Sequence, residues 1–250
     1  MQFTLDILVQ EVAHILAPNA PSLYLHGSAT ADDFHPGWSD LDIVCFTETP
    51  LADEQAAELM MLRQTLAEKH GAHHFRALEG GFLPLNAFLS GEDCVCAYWG
   101  TSGQKIAKNF RLDSFSRITL LDTGRLLYGP DVRGRIPRPD AADLRADVAA
   151  HLATIREVSP LTGRSLYSAG WLFDTARGIY TLRTGGVIPK TRAGEWALEN
   201  NLCPDPDDLR RALDLRRNPA LFADESVLVW LENLDPAVQR FADVLEMELA

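Results

Sequence analysis

Basic residues are scarce in this chain. Lys and Arg number 23 against 35 Asp and Glu, a formal net charge of −12 over 250 residues. A protein that wraps nucleic acid needs a basic face, so that class is disfavoured. An acidic surface instead suits a cationic small molecule. Cysteine is also sparse. Cys45, Cys94, Cys96 and Cys203 include no zinc-like or redox pair, because Cys94 and Cys96 are separated by one residue. Four small apolar side chains in a reduced, cytoplasmic protein is the simplest expectation. No run approaches the ~20 apolar residues that span a bilayer. The N-terminal MQFTLDILVQEV has no basic stretch, and Asp6 and Glu11 interrupt it, so it does not read as a secretory signal. There are no repeats and no low-complexity tracts.

Periodicity divides what remains. Leu5, Leu8, Val9, Val12, Ile15 and Leu16 fall on one helical face that ends before Pro18. Leu23-Tyr24-Leu25-His26 reads as a strand closed by Gly27. Leu41 to Phe46 is the clearest strand. Asp53 to His70 reads as a helix, and Phe75 to Leu85 and Cys94 to Trp99 as further strands. Residues 130–140 hold Pro130, Pro137 and Pro139 with Gly129 just before and Gly134 within, the composition of a linker. Beyond it the pattern is helical at about 141–157, 165–184, 191–200, 205–217 and 225–248. The expected organisation is an α/β domain over 1–135, a mixed sheet with flanking helices, followed by an all-α domain over 141–250. A cleft between the two is the default ligand site.

Three short patterns carry chemistry. Gly27-Ser28 follows a strand, where a glycine turn lets backbone N–H groups and a hydroxyl approach an anion. Asp40 and Asp42 stand at i and i+2 at a strand start, so both carboxylates face one side while Leu41 and Ile43 face the other. Two such carboxylates repel unless a cation joins them, and magnesium, which prefers oxygen and also binds phosphate, answers that need. Glu79 precedes Gly80-Gly81, a pair that reads alone as a turn. A strand there, laid beside the Asp40–Asp42 strand, brings a third carboxylate to the same end.

Together, Leu-His-Gly-Ser, then Ser39-Asp40-Leu41-Asp42-Ile43-Val44, then a later acid resemble the nucleotidyltransferase superfamily related to DNA polymerase beta. The helical half narrows this. Ala176-Arg177-Gly178-Ile179-Tyr180, then Pro189-Lys190, then Glu195-Trp196-Ala197-Leu198 resemble the helical domain of streptomycin/spectinomycin adenylyltransferases. Order and spacing agree from about Leu23 to Leu198, loosely between 85 and 125. The resemblance implies an enzyme that moves AMP from ATP to a hydroxyl of an aminoglycoside-type antibiotic and so confers resistance. Asp40 and Asp42 would hold magnesium, two ions in this family. Gly27 and Ser28 would cradle the ATP phosphates, with Arg177 and Lys190 reaching the triphosphate. Glu79 would be the catalytic base and, with Trp99, would meet the acceptor. The expected partner is a small molecule, with no nucleic acid and no membrane; the oligomeric state stays open, with a monomer favoured. Two departures stand out. Ala97-Tyr98-Trp99 occupies the place of the family's Gly-Glu-Trp element, and no acid stands near Leu166–Ala169. A non-catalytic nucleotide-binding regulator, or a nucleotidyltransferase-like partner protein that modifies a protein hydroxyl, are the other readings. Intact Asp40, Asp42 and Glu79 weigh against the first, and the long helical half against the second.

Overall fold

The computed structural model describes residues 1–70, 73–100 and 103–250. They form two compact units. The first comprises Met1–Asp32 and Ser39–Arg138, the second Asp33–Trp38 and Pro139–Ala250. The expected α/β plus all-α composition is what the elements show. One segment departs from a simple linear division: residues 33–38, from the loop between Gly27-Ser28 and Asp40, belong with the helical unit.

The first unit is built on a mixed six-stranded sheet. Its elements in chain order are α1 (Gln2–Leu16), β1 (Ser22–His26), β2 (Leu41–Thr47), α2 (Asp53–His70), α3 (His73–Arg76), β3 (Leu78–Pro84), α4 (Leu85–Ser90), β4 (Cys96–Gly100), β5 (Gly103–Ala107), α5 (Ser114–Asp122) and β6 (Arg125–Tyr128). The sheet order is β5-β4-β3-β2-β1-β6. Among the described residues only β2 and β3 run parallel, and α2 is in the crossover that this requires. Every residue of β1 is buried, and its central Leu23-Tyr24-Leu25 is apolar on both faces rather than alternating. One sheet face buries Tyr24, Val44, Phe46, Leu83 and Cys96 with Leu112, Leu120, Val132 and Ile136. On the other face, Trp99 stacks edge-on against Phe82 at 4.7 Å and donates its indole N–H to the Leu59 carbonyl of α2 at 2.9 Å.

Several expectations are corrected. Gly80-Gly81 lies inside β3 instead of forming a turn. A Cβ on Gly81 would occupy the space of the Phe110 ring, and one on Gly80 that of the Ile43 carbonyl. The pair is therefore a packing requirement. Phe75 lies in the short helix α3, ahead of the strand. Strands β5 and β6 are short and lie at the two edges of the sheet, and the sequence pattern does not announce them.

The second unit is helical: α6 (Ala141–Val158), α7 (Leu166–Thr184), α8 (Lys190–Glu199), α9 (Pro206–Arg217), α10 (Glu225–Glu232) and α11 (Asp235–Leu249). Asp140 and Asp143 form a reciprocal capping box at the start of α6. Helix α7 is the central member, burying Ala169, Leu172, Phe173, Ala176 and Ile179. The single helix expected over 225–248 is two, because Pro236 lies in the first turn of α11 and cannot continue the helix before it. Among the described residues, no helix is long and apolar enough to cross a membrane.

Candidate active site

In the first unit the sheet gathers the sequence-predicted residues at one end. Strand β1 ends there at His26, whose antiparallel partner in β2 is Asp42. Strand β3 starts there, and Asp42 pairs in parallel register with Glu79. Parallel partners project to one face, so the two carboxylates are neighbours at the polar end of the apolar strip formed by Val44, Phe46 and Leu83. Asp40 lies two residues before Asp42, and all three acids are half-buried.

Gly27 turns the chain off β1 with φ +69°, a left-handed conformation, into a one-turn helix over Gly27–Thr30 that includes Ser28. The Asp42 carboxylate lies in the space that a Cβ on residue 27 would need. Glycine is thus required here twice, by conformation and by the approach of the carboxylate. Ser28 is half-buried in this turn.

Strand β4 contributes Tyr98. Its cross-strand partner is Gly81, two residues beyond Glu79, so Tyr98 shares the Glu79 face. Its phenol donates to Glu79 Oε1 at 3.0 Å, its ring tilts against Phe110 at 5.8 Å, and the Lys105 ammonium lies 5.4 Å from the ring centre. Trp99 points the other way. It is fully buried between the sheet and α2, with its N–H satisfied, so the expectation that it stacks on an acceptor ring is wrong. Period-two alternation places Tyr98, not Trp99, beside the acids.

Magnesium can be tested against these residues. Carboxylates offer only acceptor oxygens, and Asp42 is held against a glycine that leaves it room. Among the described residues no three His, Cys, Asp or Glu side chains converge as a metal cluster. Magnesium needs no such cage, since one or two carboxylates plus substrate phosphates suffice. The donor set fits a metal completed by substrate.

In the second unit Arg177 of α7 and Lys190 of α8 meet at one residue that the sequence reading missed. Lys190 Nζ lies 2.9 Å from Asp174 Oδ1, and the Arg177 guanidinium 3.1 Å from the same oxygen. Asp174, one helical turn before Arg177, is 15% exposed. Burial pushes its pKa up, but Lys190, Arg177 and His151 outweigh that and hold it below the ordinary carboxylate value. The signal was an acid within the mostly apolar Trp-Leu-Phe-Asp-Thr-Ala stretch of α7. The cysteines carry no chemistry at either place. All are free, and burial pushes the Cys96 and Cys203 thiols up to about 11.

Comparison with known proteins yields a strong likeness of fold. No protein-family model matches the chain, and no curated protein does. A crystal structure of spectinomycin adenyltransferase AAD(9) from Enterococcus faecialis, with ATP and spectinomycin, is similar with a TM-score of 0.74. It covers 98% of this chain and 99% of its own at 17% identity. The chain therefore shares the fold of that adenyltransferase.

Proposed function

We propose that this chain is a magnesium-dependent nucleotidyltransferase that moves AMP from ATP to a hydroxyl of a cationic, aminoglycoside-type antibiotic, and so confers resistance. The observation that carries the reading is the parallel pairing of Asp42 with Glu79 beside the Gly27-Ser28 turn. That pairing sets a metal-binding type of carboxylate next to a candidate base. A neighbour of like fold, crystallised with ATP and spectinomycin, supports the choice of co-substrate and acceptor.

In this reading Asp40 and Asp42 hold the metal, which when bound neutralises phosphate charge. The Gly27-Ser28 turn offers backbone N–H groups and a hydroxyl to phosphate oxygens. Arg177 and Lys190 supply the cations that an acidic chain must place locally to hold a triphosphate. Glu79, oriented through Oε1 by Tyr98, takes the proton from the acceptor hydroxyl. The acceptor oxygen then bonds to the α-phosphorus as the bond to the departing pyrophosphate breaks, a transfer governed by positioning and charge. The net charge of −12 favours a polycationic acceptor.

The test is incubation of the full chain with Mg-ATP and a panel of aminoglycosides, streptomycin and spectinomycin included. Pyrophosphate release and product mass are read. The expected result is an antibiotic heavier by one AMP, with turnover reduced ~10²–10⁴-fold in Glu79→Gln. No adduct with any acceptor, or equal rates for wild type and Glu79→Gln, overturns the reading.

A further inference from the structure

Helix α8 begins badly by local rules. Its N-cap is Pro189, which offers no side-chain acceptor, and its first turn holds Lys190 and Arg192 with no acid. Cations at a helix N-terminus oppose the helix dipole, and the first N–H groups lack partners within the helix. The missing cap comes from 158 residues earlier in the sequence. The Thr191 N–H donates to Asp33 Oδ2 at 3.3 Å.

Asp33 is itself fixed by a buried ion pair. Arg216 of α9 reaches Asp33 Oδ2 at 2.8 Å, with side chains only 3% and 5% exposed. The same guanidinium donates to the Thr191 hydroxyl at 2.9 Å and to the Asp33 carbonyl at 3.3 Å. It lies 5.5 Å from the Trp38 ring centre and 5.6 Å from that of Phe173, the residue before Asp174. His35 Nε2 contacts Asp33 Oδ1 at 3.2 Å and the Thr191 hydroxyl at 3.3 Å. Burial pushes the Asp33 pKa up, but Arg216 and Thr191 more than offset this and keep the carboxyl charged.

We propose that Asp33 is a positioning residue for Lys190: it caps the first turn of α8 and, clamped by Arg216, sets where the Lys190 ammonium is presented. This rests on the proposed role of Lys190 toward a triphosphate. It also gives the segment 33–38 a purpose. That segment lies in sequence between Ser28 and Asp40, yet folds with the helix that carries Lys190. A buried charged pair is a weak source of stability compared with apolar packing, so its presence here fits a demand for fixed geometry.

The experiment is a double-mutant cycle on the full chain, with inorganic tripolyphosphate and ATP titrated by calorimetry. Hydrogen exchange is followed over residues 190–199. Lys190→Ala is expected to weaken tripolyphosphate binding. Asp33→Ala, which removes cap and charge, should weaken it about tenfold in the wild-type background and not at all on top of Lys190→Ala. Exchange at the start of α8 should rise in Asp33→Ala with no ligand present. Asp33→Asn keeps an acceptor for the Thr191 N–H and should recover part of both effects. If Asp33→Ala fails to fold because Arg216 is left unpaired, the same cycle is run with Asp33→Asn. Equal losses from the Asp33 variant with and without Lys190, or unchanged exchange in α8, overturn the inference while leaving the nucleotide reading intact. Lack of triphosphate binding by the wild type overturns both.

Discussion

Asp174 holds two cations with one carboxylate: Lys190 at 2.9 Å and Arg177 at 3.1 Å from the same oxygen. One carboxylate thus fixes the ends of both cations together. Asp174→Asn leaves two cations without their shared counter-ion. At a separation of about 7 Å from phosphate, one more uncancelled charge tightens binding roughly three- to fivefold at low salt, less at high salt. Calorimetry with ATP at two salt concentrations checks this, and weaker binding in the variant would show that preorganisation outweighs charge. Stability should move the opposite way, with a fall of a few degrees in Tm at neutral pH. The sign follows from the depressed pKa of Asp174. Its contribution is full above the unfolded value of about 3.9 and is lost as pH falls through the lower folded value, so wild type and variant converge only in acid.

Gly27 and Asp42 compete for one space. An alanine at 27 must adopt a left-handed conformation, costing roughly 1–2 kcal/mol, and must displace the Asp42 carboxylate. Gly27→Ala should lower Tm by several degrees and abolish turnover. Relieving the clash with Asp42→Gly in the same chain should restore part of the stability and none of the activity. Unchanged Tm in Gly27→Ala would mean that the turn is not built as described.

What was legible in the sequence, and what was not, follows from the range of the forces. The β2 strand and its paired aspartates could be read because alternation and an apolar run are local. A later strand beside β2 that brings Glu79 to the same end could be read as well, but the parallel register of Asp42 with Glu79 depends on tertiary pairing that no local pattern contains. Strand β5 was missed because Gly103–Ala107 lies at an edge of the sheet and carries no buried run. The side of the sheet that Trp99 faces depends on register with β3, which no local pattern in β4 contains. Asp174 looked like any helix acid, since Lys190 is 16 residues away. Asp33 had no local signal at all: its partner Arg216 is 183 residues distant, and only the fold joins them.

Trp99 fills the space between Phe82 and α2, so its substitution is a matter of packing. Trp99→Phe loses the bond to the Leu59 carbonyl and some volume, a cost of about 1–3 kcal/mol. Tm should fall while KM for the acceptor stays constant. A raised acceptor KM with unchanged Tm would return Trp99 to the binding surface.

Tyr98 offers the sharpest test of how Glu79 is oriented. Its phenol donates to Glu79 Oε1 at 3.0 Å, and its ring is held independently by Phe110 and Lys105. Tyr98→Phe deletes the hydroxyl and spares the ring contacts, so Tm should barely move. A hydrogen bond to a charged group is worth about 1.5–3 kcal/mol. If part of that holds the carboxylate toward the acceptor, kcat should fall roughly tenfold while KM for ATP is unchanged. An effect carried through Glu79 predicts that adding Tyr98→Phe to Glu79→Gln costs nothing further. Steady-state kinetics on the four proteins decide it. A wild-type kcat for Tyr98→Phe would mean that the bond is incidental to turnover. A rise in KM for ATP at constant kcat would place the phenol on the nucleotide instead of the base.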